Sequence, residues 1–497
     1  MLGLEFSKKE WLLFTKSKVN FYGLSKKAFS SLLILLSLHL IGFILTASRY
    51  PGSISLYGLY TIVSALTLYI GFYRPFDYGI PLLNIFFWLG GWFKLNVHLI
   101  LNYQYVEAVG GFSFTANHYN ELLKVCIVAN LAVFMVWFFS KKLIQTNGTK
   151  INFKNTGVGV QGCRSFGLIF ILVVIAIAAI NLFNIYSGMY QTGIVAKTIF
   201  AWPFNAVFGW ILSMGLVMVI STLLYLSSWS KKRIIMVIGV AIYEAIFSAG
   251  SVLSRGLYII HLLPVFYTIF INKFRLMLSR YMLLFLTFIA ILGFIMSGTF
   301  VNTARTFAYN EKFSTSEGRI HALHLSLPEF GQGIASLAKL AVDRWIGIEG
   351  VMVAVGYPEK SLSLLGTLMV EKPAIGYITK YQYISNSVYV HMNANKFQFL
   401  TLPGPSGMFY LSGSLCIVFV GMALLVLLAI VFERWVWNMT NNPYLCAVVG
   451  AWMANGVAQF GVAPRQLLIQ LFMHFIGIIV ITIFQKWWLS KENNSRA

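Results

Sequence analysis

Ala304 to Pro405 reads ARTFAYNEKFSTSEGRIHALHLSLPEFGQGIASLAKLAVDRWIGIEGVMVAVGYPEKSLSLLGTLMVEKPAIGYITKYQYISNSVYVHMNANKFQFLTLPGP. No apolar run in it is long enough to span a bilayer. It carries nine basic side chains, seven carboxylates and three of the eight histidines, His321, His324 and His391. The chain on either side reads as membrane-spanning helix. A long segment of this kind, set between apolar helices, is usually functional rather than a connector.

Working outward, composition gives the class. Of 497 residues 58% are hydrophobic and only 10% charged, with a mean hydropathy of +0.75. No soluble globular domain has that balance, so the chain reads as an all-α polytopic membrane protein. Apolar runs of spanning length fall at 28–47, 54–73, 80–100, 119–140, 166–185, 203–228, 234–252, 256–272, 282–303, 406–432, 443–462 and 466–485. That predicts twelve helices: nine over residues 28–303 and three over 406–485. A basic segment (1–27) precedes them, the long loop (304–405) divides them, and a tail (486–497) follows. Met1 to Lys27 holds six lysines and no signal-peptide pattern. Within the loop, Ile334 to Val342 and Leu362 to Val370 read as short amphipathic helical turns.

The net charge of +22 suggests nucleic acid only until it is apportioned. With the N-terminus in the cytoplasm, the inside segments hold 22 of the 37 Lys and Arg side chains. The short outer connections hold very few. The excess is therefore a topology signal that places both termini in the cytoplasm and the long loop outside, not a nucleic-acid footprint. The four cysteines, Cys126, Cys163, Cys416 and Cys446, form no zinc-type spacing and no evident disulfide.

Three predicted spans carry ionisable groups away from their ends. Lys94 lies in the third, with His98 one turn further on; Glu244 lies in the seventh; Arg255 divides the seventh from the eighth. A charge near the bilayer centre costs about 2.5–3.5 kcal/mol on insertion scales and usually faces a partner or a cavity. Lys94 and Arg255 both have the alternative of snorkelling to the interface. Small residues from Ser248 to Gly256 flank Arg255 and suit an anion site.

Some chemistry is missing. The chain has only two aspartates, Asp77 and Asp343, with no D-x-D, G-x-x-x-x-G-K or G-x-G-x-x-G. A metal-held nucleotide-sugar or an ATPase site is not expected, nor is a cofactor. His321 and His324 lack a third ligand in sequence. What remains on the outer face is forked cations, Arg255, Arg319 and Arg344, suited to phosphate oxygens. The stretch Asp343-Arg344-Trp345-Ile346-Gly347-Ile348-Glu349-Gly350 is dense in candidate site residues. Pairing within the loop is the competing explanation for any one of its charges.

The Trp88 to Leu95 stretch with Lys94, Ser254-Arg255-Gly256 at a helix end, the Arg344 to Gly350 stretch and the late outer loop together resemble Wzy-type O-antigen polymerases. His391-Met392-Asn393 followed by Gly404-Pro405-Ser406-Gly407 is similar to the loop histidine and G-x-x-G of O-antigen ligases, with longer spacing. The resemblance implies a GT-C-like helical fold in the bacterial inner membrane, with the large loop periplasmic. It implies donor and acceptor oligosaccharides linked to undecaprenyl diphosphate, a metal-independent glycosyl transfer, and a chain-length regulator as a protein partner. In that reaction Arg255, Arg319, Arg344 and Lys94, with the Gly404–Gly407 turn, would meet the diphosphate and glycan. His391, Glu349 or Asp343 would serve as base toward the acceptor hydroxyl. A ligase-like glycosyltransferase and a polysaccharide flippase are the alternatives.

Overall fold

The computed structural model describes residues 26–73, 78–145, 166–227, 230–271, 278–309, 342–372, 374–461 and 464–494. Uninterrupted apolar composition makes helix the default here, because a spanning backbone must satisfy its own polar groups. The helices before the long loop are α1 (Lys26–Ala47), α2 (Ile54–Tyr73), α3 (Gly79–Leu101), α4 (Ala116–Gln145), α5 (Phe166–Ser187), α6 (Phe204–Ser227), α7 (Lys231–Val252), α8 (Arg255–Ile271) and α9 (Arg280–Tyr309). In and after the loop come α10 (Ile348–Gly356), α11 (Leu362–Val370), α12 (Lys380–Ile384), α13 (Gly404–Tyr410), α14 (Leu415–Thr440), α15 (Pro443–Ala458) and α16 (Pro464–Asn494).

Nine helices among the described residues are long and apolar enough to cross a membrane; α8, α15 and the apolar part of α1 (Leu32–Ala47) are shorter. The chain is thus an all-α membrane protein. Helix α11 covers Leu362 to Val370, the turn marked in the sequence; the other, Ile334 to Val342, lies almost wholly outside the described residues. One span is displaced. The run at 406–432 is not one helix: α13 ends at Tyr410, Gly413 adopts φ +78°, and the long apolar helix begins only at Leu415. A left-handed glycine ends a helix whatever the hydropathy around it.

Two hydrophobic cores organise the bundle. The first joins α2, α3 and α4 with α10 to α16 and part of α6; the second joins α5 to α9 with Tyr444 of α15. Helix α15 sits between them, packing on α3, α14, α8 and α6, and 14 of its residues are buried. A helix apolar all round belongs in such a position. Glu433 of α14, itself buried, accepts from the backbone N–H of Tyr78 (2.6 Å) and Gly79 (2.8 Å). A carboxylate there completes the unsatisfied start of α3.

Among the described residues two helices contain a π-helical turn, Leu89–Phe93 in α3 and Ile211–Gly215 in α6. A two-stranded antiparallel ribbon, β1 (Gly193–Ile194) with β2 (Phe397–Gln398), ties the α5–α6 connection to the long loop.

Candidate functional site

The site begins at the π-turn of α3. Gly90 lies there against the backbone of Ile346 and Gly347, so close that a Cβ on either glycine would overlap the other strand of backbone. The widened turn and the missing side chains let the segment before α10 press onto α3. One turn later Lys94 points into that contact. Its ammonium is 0% exposed and donates to the carbonyls of Asp343 (2.8 Å) and Trp345 (2.7 Å) and to the Glu349 carboxylate. The lysine does not snorkel; it holds the loop to the helix.

His98 follows Lys94 by four residues and shares its helix face. Its Nε2 lies 3.0 Å from Asp343 Oδ1, and its Nδ1 lies 3.0 Å from the Tyr103 carbonyl. A carbonyl only accepts, so Nδ1 donates to it. Tyr103 donates its hydroxyl to the same Asp343 oxygen at 3.2 Å. The His98 ring stacks on Tyr105 (centroids 3.8 Å apart) and tilts against Tyr103 (4.1 Å). Asp343 is 2% exposed, and its Oδ2 has no hydrogen-bond partner among the described residues. Burial pushes the Glu349 carboxyl above its usual range while the Lys94 ammonium opposes that shift. Tyr103 is pushed up to about 12, by burial first and then by the Asp343 carboxylate.

Beside this network lies a cavity of about 970 Å³. His98, Tyr103 and Tyr105 line it, opposite Asn386, Ser387 and Tyr389 of the long loop, with Arg49 and Glu107 as its charged residues. Arg49 reaches across to the end of α3, donating to the carbonyls of Leu99 (3.3 Å) and Ile100. Rings with hydroxyl and amide groups at their edges suit an amphipathic, hydroxyl-rich ligand.

No family model, curated protein or solved structure matches this chain. Function must therefore be argued from the geometry alone.

The structure brings Lys94, Asp343 and Glu349 together and leaves the other sequence candidates elsewhere. Arg255 opens α8 beside the second core and donates to Asn302, while Arg305 donates to the Leu253 carbonyl (2.8 Å). Arg344 is exposed next to Asp343 and makes no ion pair with a described residue. Arg319, with His321 and His324, lies outside the described residues. Gly404 and Gly407 are buried; Gly404 takes φ +66°, and Gly407 meets the Gly350 backbone. This turn packs α13 closely on α10. No group of three His, Cys, Asp or Glu side chains that could hold a metal occurs among the described residues.

His391 is exposed at the end of a 3-10 turn, Val388–His391, whose first two residues line the cavity while His391 does not. Its replacement by glutamine is therefore expected to leave stability within about 0.5 kcal/mol. A thermal melt in detergent checks this, and a large loss would show that the turn depends on the imidazole.

His98, Tyr103 and Tyr105 did not emerge as site residues from the sequence, although His98 stood out beside Lys94. A second buried pair was half visible: Glu244 of α7 accepts from His261 of α8 at 2.9 Å, from Ser248 at 2.7 Å, and His261 also reaches the Ser213 carbonyl in the α6 π-turn at 2.8 Å. Every member of that network is satisfied.

Proposed function

We propose that the protein is a polymerase of lipid-diphosphate-linked oligosaccharide repeat units, a metal-independent glycosyltransferase of the Wzy type. What supports the reading is the large aromatic and polar cavity whose lining residues His98 and Tyr103 both bond to the buried Asp343. A glycan offers flat hydrophobic faces to tyrosine rings and hydroxyls to amide and carboxylate groups, which is the chemistry this lining complements. The reading takes the fold as twelve-spanning and GT-C-like, with both termini cytoplasmic and the cavity periplasmic.

In the proposed reaction, the non-reducing end of an acceptor unit enters the cavity and its hydroxyl attacks the anomeric carbon of the donor glycan. The bond from that carbon to the lipid diphosphate breaks, and the electron pair leaves with the diphosphate. Arg344, exposed next to Asp343, would stabilise that charge. The leaving group supplies the driving force, so neither nucleotide nor metal is required.

The test is direct. Purified protein in nanodiscs, given isoprenyl-diphosphate-linked repeat units without added metal or nucleotide, is expected to produce a ladder of glycans on lipid. Products that never exceed one unit would reject the polymerase. Transfer of the glycan only to a lipid A core acceptor would make it a ligase.

A further inference from the structure

We infer that the acceptor hydroxyl gives up its proton through the Tyr103 phenol to Asp343, with His98 as the residue that positions the carboxylate. This rests on the glycosyl transfer proposed above and assigns its base.

Three observations support it. Tyr103 lines the cavity and its hydroxyl donates to Asp343 Oδ1, so it is the cavity-facing end of a hydrogen-bonded chain that runs into the protein. Asp343 itself is enclosed, and its other oxygen has no partner among the described residues. A buried acceptor left unpaired ordinarily costs about 1–3 kcal/mol, more when charged. A catalytic role is one reason for such a group to persist. Finally, the competing carboxylate is occupied. Glu349 is paired with Lys94, whereas Lys94 meets Asp343 only at its main-chain carbonyl.

Among the described residues, the groups facing Asp343 are Lys94 and His98 from α3, Tyr103 and Tyr105 from the segment after it, and Glu349 from α10. Among them only Tyr103 joins cavity to carboxylate through a hydroxyl.

The step balances. As the acceptor oxygen bonds to the anomeric carbon, its proton passes to Tyr103 Oη, and the phenol proton moves to Asp343 Oδ1. Tyr103 stays neutral throughout. The diphosphate departs with the electron pair of the broken bond, and Asp343 returns its proton to water as product leaves. Because Nδ1 donates to the Tyr103 carbonyl, His98 holds the ionised Oδ1 toward the phenol only as the imidazolium, through Nε2–H.

Tyr103→Phe keeps the ring against His98 and removes only the hydroxyl. Loss of general-base assistance is expected to lower kcat by about 10²–10⁴-fold with KM nearly unchanged, and Asp343→Asn should match it. A purely structural tyrosine would leave kcat intact in the phenylalanine variant. In wild-type enzyme, the relay predicts a curved proton inventory in H₂O–D₂O mixtures, with two protons in flight; this reading does not depend on any variant folding. A fully active Tyr103→Phe or a linear inventory would overturn the relay while leaving the polymerase standing. Wild-type protein that forms no glycosidic bond would instead remove the polymerase, and the relay with it.

Discussion

Replacing Lys94 with methionine is expected to destabilise the protein by about 3–5 kcal/mol, the range for breaking a buried charge pair from one side. The methionine fills the space but leaves Glu349 enclosed without its cation, and the carbonyls of Asp343 and Trp345 without their donor. Denaturation in mixed micelles, followed by circular dichroism, measures the loss. The double variant Lys94→Met with Glu349→Met should recover a large part of it, because an apolar pair of similar volume often equals a buried ion pair. Recovery should stop short of complete, since the two carbonyls remain unpaired. A single variant with an unchanged transition would show that Lys94 does not fasten the loop to α3.

The second large effect is expected at Gly350. A methyl group there would overlap the Pro403 carbonyl, and the reciprocal methyl on Gly407 would overlap the Gly350 carbonyl. Helices α10 and α13 therefore meet backbone to backbone, where no side chain can swing aside. Gly350→Ala should cost at least the upper end of the about 1–3 kcal/mol usual for overpacking. Gly407→Ala should cost about as much, and the pair should add up to less than the sum because both act on one contact. Gly366, in α11 and exposed, has nothing within 4 Å of its added methyl. Alanine there should stabilise by up to about 1 kcal/mol through helix propensity. Equal melting temperatures for Gly350→Ala and Gly366→Ala would refute the close-contact account.

Lys94 and Glu244 were legible because a charge inside an apolar run has no neutral explanation beyond snorkelling. Their partners were not equally legible. Lys94 pairs with Glu349 across 255 positions, and no periodicity in a sequence reports a contact at that separation. Glu244 was read without His261, which sits in an apolar helix as an unremarkable single histidine. Tyr103 was invisible for another reason: aromatic residues are expected wherever a helix leaves a membrane, so one tyrosine that also donates to a buried carboxylate has no distinguishing sign. The break at Gly413 was lost inside a run whose mean hydropathy stays high, since such averages weigh side chains and ignore φ. Gly404 and Gly407 suggested a phosphate turn, and Gly407, like Gly347 and Gly350, proves to be a place where backbones touch. Both uses require a missing Cβ, so only the neighbours distinguish them.

The β1–β2 ribbon acts as a mechanical link. It has two residue pairs, Gly193 with Gln398 and Ile194 with Phe397. One strand hangs from the α5–α6 connection of the second core, and the other lies a few residues beyond Asn386–Tyr389, which wall the cavity. Ile194 also packs beside Leu253, Val301 and Ala304, at the ends of α7 and α9. A tilt of the second helix group would thus pull on the cavity's far wall like a short tie rod.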